Sequence, residues 1–185
     1  MLLSHLFSLA FISAACASTL NVRQTTNTNA AIRTIIDPLD MTARIVASTL
    51  NTLQANHSLN SVTLATQLTI LEARLQSATT QLANTTTSAG SVTVSPTNDE
   101  LGDTFGETMQ LVTTSLSGIS AQGSVSDFAS QMSTLDPIFA ATVKQFKTTA
   151  PLSVKIAQTL MLDAQQFLIT EGLTETQAAI FPPPA

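Results

Sequence analysis

Between Ser61 and Ala83 the chain places Leu64, Leu68, Leu71, Leu75, Ala78 and Leu82 at alternating steps of four and three. At 3.6 residues per turn those side chains share one helix face. A strand would scatter them over both faces of a sheet, so this spacing rules one out. The segment predicts a helix over 61–83 whose leucine stripe has to be buried against other stripes of its kind. Such partners exist on both sides. Upstream, Ile32, Ile36, Leu39, Ala43, Val46, Leu50 and Leu53 follow the same rule, with Pro38 interrupting. Asp37-Pro38 reads either as an N-cap followed by proline at the first helical position or as a kink within one helix.

Downstream, Thr97 with Glu100 three residues on forms a capping-box pattern. It opens a helix lined by Leu101, Phe105, Met109, Val112, Leu116 and Ile119, which ends near Gly118 and Gly123. Gly102 and Gly106 weaken that helix by about 1 kcal/mol each relative to Ala. They also permit close approach of a second helix or a ligand. A fourth stripe runs through Phe128, Met132, Leu135, Phe139, Thr142 or Val143, and Phe146, with Asp136-Pro137 predicted to break or re-cap it. Pro151 opens a fifth helix carrying Ile156, Leu160, Met161, Ala164, Phe167 and Leu168, which Gly172 stops. Thr87 to Pro96 reads as a loop, and Ser91 to Ser95 as the one short strand candidate. The expected fold is all-α, an antiparallel bundle of four to five amphipathic helices over residues 31–172. A flexible polar segment (18–30) precedes it, and a proline-ending tail (173–185) follows.

Residues Leu2 to Ala15 are apolar but too few to span a bilayer. Ala15-Cys16-Ala17 has the small-x-small form of a signal-peptidase site, which predicts a signal peptide over 1–17 cleaved after Ala17. Its removal takes the single cysteine, so the mature chain is expected to hold itself together without disulfides. The expected location is extracellular, with cell-wall association as an option. Asn56-His57-Ser58 and Asn84-Thr85-Thr86 are N-glycosylation sequons.

Only 10% of the residues are charged, where about a quarter is usual. Thr and Ser make up about a quarter of the chain, so the polar surface consists of hydroxyls and amides more than ions. A net charge of −5 argues against nucleic acid and against anionic membrane surfaces as partners. After cleavage only His57 remains as an imidazole, and no nucleophile elbow, phosphate loop or Glu-x-x-His pair is present. No catalytic residue, metal ligand or cofactor is therefore assigned, and the chain is expected not to be an enzyme. Asp99, Asp103 and Glu107 step along one helix face beside Glu100. Acids near a helix N-terminus account for them better than a calcium site does. Lys144, Lys147 and Lys155 are expected to be solvated lysines, with an anionic head group or the acidic helix as alternative partners. The suggestive chemistry is apolar. Phe105, Met109, Met132, Phe139, Phe146 and Met161 fall on the inner stripes of the last three helices. They line an ordinary core or a core that opens around an apolar ligand.

Taken in order, these segments resemble the fungal hydrophobic surface-binding protein A family, which is related to cell-wall galactomannoproteins. The resemblance covers roughly Ile32 to Leu168. It rests most on Thr134-Leu135-Asp136-Pro137-Ile138-Phe139-Ala140-Ala141-Thr142-Val143-Lys144-Gln145-Phe146, continuing through Thr148 to Leu152. It implies a secreted non-enzymatic protein that adsorbs to hydrophobic surfaces or lipids and helps recruit cutinase-like polyester hydrolases to solid substrates. By the same resemblance, the alternatives are a cell-wall mannoprotein and a carrier holding a fatty-acid chain in its helical core.

Overall fold

The computed structural model describes residues 26–181. The expected signal peptide, its cleavage site at Ala17, and most of the 18–30 segment lie outside the described residues. Four long helices dominate: α1 (Asn29–Ala55), α2 (Ser61–Ala83), α3 (Asn98–Gln122) and α4 (Phe128–Thr149). A 3-10 turn (Pro151–Ser153) leads into three short helices, α5 (Val154–Met161), α6 (Gln165–Glu171) and α7 (Thr174–Ile180). Among the described residues there is no strand, and the run of bends at Val92 to Pro96 takes the place of the strand expected at Ser91 to Ser95. The protein is an all-α helical bundle.

The predicted stripes are the core. Leu64, Leu68, Leu71, Leu75, Ala78 and Leu82 are all buried, as are Ile32, Ile36, Leu39, Ala43, Val46 and Leu50. Local chemistry fixes the helix starts. Asn60 accepts from the amides of Val62 and Thr63, while Thr63 accepts from the Asn60 amide. Thr97 and Glu100 form the expected reciprocal box at α3. The many threonines are accommodated in these helices with their hydroxyls turned back onto carbonyls one turn earlier. Thr49, Thr66, Thr80 and Thr104 each donate to the carbonyl four residues before, at 2.8–2.9 Å. This satisfies the hydroxyl without a partner elsewhere.

The helix pairing is not that of a simple square bundle. α1 packs on α2 and α3, and α4 packs on α2. α1 and α3 run parallel: Asn29 meets Asn98 at one end, and Gln54 meets the Gly118 carbonyl at the other. α2 and α4 are parallel too, with Gln131 on Ser61 and Thr149 on Leu82. α2 and α3 are therefore diagonal, so the connection between them (84–97) must cross the end of the bundle. That is why it is long, while 56–60 and 123–127 are short. A polar network seats it. Ser88 donates to Asn29 Oδ1 at 2.6 Å through its hydroxyl and to the Thr149 carbonyl at 2.8 Å through its amide. Asn98 Oδ1 accepts from Asn29 and from the Ser91 amide. Every member is bonded, as burial of such groups requires.

Three expectations are corrected. Asp136-Pro137 does not break α4, because Pro137 lies inside the continuous helix; Pro38 likewise lies within α1, which is the one-helix reading of Asp37-Pro38. The expected fifth helix is divided at 162–164, where Leu162, Ala164 and Gln165 bond three residues back instead of four. The tail beginning at 173 is not separate from the bundle. Leu173, Thr176, Ala179 and Ile180 are buried, and α7 packs on α4. Asp136, only 5% exposed, explains two of these points together. Its carboxylate accepts from the amides of Glu175 and Thr176 at 2.8 Å and from the Thr176 hydroxyl at 2.7 Å. It caps α7 from α4 and does not start a helix of its own. The opposite end of α7 is held by Lys147, which donates to the Ala179 carbonyl, and by Gln158, which donates to that of Ile180.

Candidate functional site

α3 and α4 are joined by a short connection, yet α3 packs mainly on α1 and α5, and α4 on α2 and α7. Large side chains and the C-terminal helices fill the space between them. Phe105 of α3 and Phe146 of α4 stack across it, with ring centroids 3.9 Å apart and planes within 6° of parallel. Met109 and Val143 continue the same wall. α5 closes it from outside with Val154, Ala157 and Met161, and α7 adds Ile180. The two α3 glycines explain how α5 comes so close. A Cβ at Gly102 would lie 2.6 Å from the Ser153 carbonyl oxygen, and one at Gly106 would lie 2.9 Å from Ala157 Cα. The close approach expected there is that of a helix.

All six residues named as apolar lining are buried, and four of them, Phe105, Met109, Phe146 and Met161, come together around this space. Met132 and Phe139 do not; they are buried elsewhere in the same core cluster. The enclosed volume is about 20 Å³. That admits roughly one water, whereas small-molecule pockets run to about 300–1,000 Å³. A second gap of about 10 Å³ lies among Leu50, Leu71 and Val112. In this conformation the core is filled by its own side chains.

The charged candidates separate. Asp99 and Asp103 are exposed, Glu100 serves the α3 cap, and Glu107 reaches Arg44 of α1 at 3.4 Å. Arg44 also pairs with Asp40 at 2.8 Å, and that carboxylate holds the Arg44 guanidinium above its ordinary pKa. Hydrogen bonds from the Thr97 amide and the Ser95 hydroxyl hold Glu100 below the usual glutamate range. Among the described residues, no group of three or more His, Cys, Asp or Glu is placed to hold a metal. Lys144 and Lys155 are exposed, and Lys147 is taken up by α7. His57 is exposed with a positive φ of 55°, in the turn after α1. Asn56 and Asn84 are exposed and are the residues that end α1 and α2.

One group gave no sequence signal. Glu171, the last residue of α6, is 4% exposed, and neither carboxyl oxygen has a hydrogen-bond partner. Burial pushes its pKa up to about 8. It reads in sequence as an ordinary acid before a glycine, and its burial arises in the fold, where α6 packs on α3 and α7. No helix among the described residues is long and apolar enough to cross a membrane. Large apolar side chains nonetheless face solvent, including Met41 and Ile45 on α1, Ile169 on α6 and Leu162 in the turn before it. No protein-family model matches the chain, and no curated protein matches it.

Proposed function

We propose that this chain is a secreted, non-enzymatic protein that binds hydrophobic surfaces or lipids, as its resemblance to the hydrophobic surface-binding protein A family implies. Recruitment of polyester- or cutin-degrading hydrolases to solid substrates is the use that the resemblance supplies. The observation that carries the reading is the position of the Phe105–Phe146 wall. It lies between α3 and α4 and is covered from outside by two short helices, α5 of eight residues and α7 of seven. Helices so short have little stability of their own in water, so they stay formed only while docked. Exchanging that cover for an outside apolar surface recovers burial at roughly 25 cal/mol per Å². The exposed apolar side chains on α1 and near α6 add contact area, and the scarcity of charge keeps the desolvation cost low.

The test is depletion of the mature protein from salt solution by a wax or polyester film, followed by measurement of a cutinase-like hydrolase on the coated film. Complete recovery of the protein in the supernatant overturns the proposal. The fatty-acid carrier is the less favoured reading, because a space of about 20 Å³ has to grow more than tenfold to hold a ligand. Secretion and glycosylation at Asn56 and Asn84 belong to the same proposal. The mass of the exported protein, before and after glycan removal, tests them.

A further inference from the structure

Glu171 stands out among the buried polar groups. The buried network around Ser88 is fully bonded, and Asp136 is bonded at both carboxyl oxygens. Glu171 has both oxygens buried and bonded to nothing. It lies at the turn between α6 and α7, followed by Gly172 at φ +82° and the fully buried Leu173. α7 then folds back across α6 and onto α4. The carboxyl group thus sits where the C-terminal helices reverse, at the edge of the segment that covers the Phe105–Phe146 wall.

We infer that Glu171 is a pH-sensitive clasp: as the neutral acid it stays buried and keeps α6 and α7 docked, and as the carboxylate it swings out and releases them. A neutral carboxylic acid tolerates an apolar site, whereas an ionised one there needs a cation or several donors. None is at hand. On α3 the ionisable groups are Asp99, Glu100, Asp103 and Glu107, all exposed and all in its first turns. On α4, Asp136 and Lys147 are committed to the two ends of α7, and Lys144 is exposed. Lys155 of α5, Asp163 in the following turn and Glu175 of α7 also face solvent.

The direction follows from linkage. The ordinary glutamate value of 4.5 applies to the released segment and about 8 to the docked one. The docked state therefore holds a proton that the released state gives up between those values. Docking is strongest below pH 4.5 and weakens about tenfold per pH unit above it. The loss is roughly fifteen-hundredfold at pH 8 and levels off near roughly three-thousandfold above it.

This clasp deepens the surface-binding proposal only in what the released face meets; the release itself is measured without any surface. Amide exchange on the full chain between pH 4.5 and 8.5, corrected for intrinsic rates, should show opening of residues 165–180 rising with pH while α1 and α2 stay protected. E171Q should stay closed and lose the slope. Equal slopes in both proteins, or opening of α1 and α2 together with α6 and α7, would overturn the inference. Carbon-13 NMR of the Glu171 carboxyl gives a second reading without a variant. A midpoint between 4.5 and about 8 is expected, because ionisation releases the segment before the docked value is reached, and one near 4.5 refutes the clasp. If the clasp opens as expected and adsorption still fails, the surface-binding proposal falls while the clasp stands.

Discussion

Replacing Asp136 by alanine removes the cap of α7 from a distance of forty residues in the chain. Three donors lose their acceptor: the amides of Glu175 and Thr176 and the hydroxyl of Thr176. Thr176 is fully buried, so its amide has no water to turn to. Its hydroxyl keeps one weaker acceptor, the Asp136 carbonyl at 3.2 Å. Loss of a helix cap costs about 1 kcal/mol, and a buried donor left unpaired costs about 1–3 kcal/mol. With one hydroxyl bond retained, D136A should lose about 2–4 kcal/mol. The effect should be local first. A seven-residue helix without its cap has little reason to stay formed, and Leu173, Ala179 and Ile180 go with it. Urea titration followed by far-UV circular dichroism reads the total, and amide exchange at Glu175 and Thr176 reads the location. D136N keeps one carbonyl acceptor and should lose about half as much. If D136A leaves both the urea midpoint and the exchange of those two amides unchanged, the capping argument is wrong.

The other expectations are briefer. G106A gains about 1 kcal/mol of helix propensity but pushes a methyl onto Ala157 Cα; overpacking of about 1–3 kcal/mol should win, and the urea midpoint should fall. F146A removes one of the two stacked rings and should cost about 3–5 kcal/mol, read in the same titration. Ser88→Ala strips the donor to Asn29 Oδ1 and the acceptor of the Thr28 and Gly90 amides, and should cost about 1–3 kcal/mol with faster exchange at those two amides. Glu100 is held below its ordinary pKa of 4.5, so its contribution is present above that value and disappears as pH falls. Exchange at the start of α3 should quicken in acid in the parent, and E100Q should remove that dependence.

The four long helices were legible because their evidence is local. A stripe over twenty residues survives a misplaced end, and the Thr97–Glu100 capping box marks one start within four residues. Asp136 was misread for the opposite reason. Beside a proline it looks like an N-cap, and its real partners lie at 175 and 176, beyond any window of periodicity. The seven residues of α7 carry too few apolar positions to display a period. Their burial is decided by packing on α4 and α6, which exists only after folding. The division of the fifth helix at 162–164 left no mark either, since Met161, Ala164 and Leu168 keep their steps and their burial across it. Of the apolar lining, the residue types were predictable, but the grouping of four without Met132 and Phe139 was set by which helices α5 reaches.

The bonding of the crossing connection has a mechanical consequence. Ser88 ties α1 and α4 at one pole, and Asn98 brings in α3 there. At the far pole the turns at 56–60 and 123–127 stay mostly within their own hairpins, with Gln54 and Gln131 as the cross-links. The molecule is bound like a book, with its spine at the Ser88 end and its free edge where Glu171 sits. Force applied to spread the helices meets the greater resistance at the spine. Any parting of the bundle therefore starts at the free edge and runs toward the Phe105–Phe146 pair, giving the motion a direction before any partner arrives.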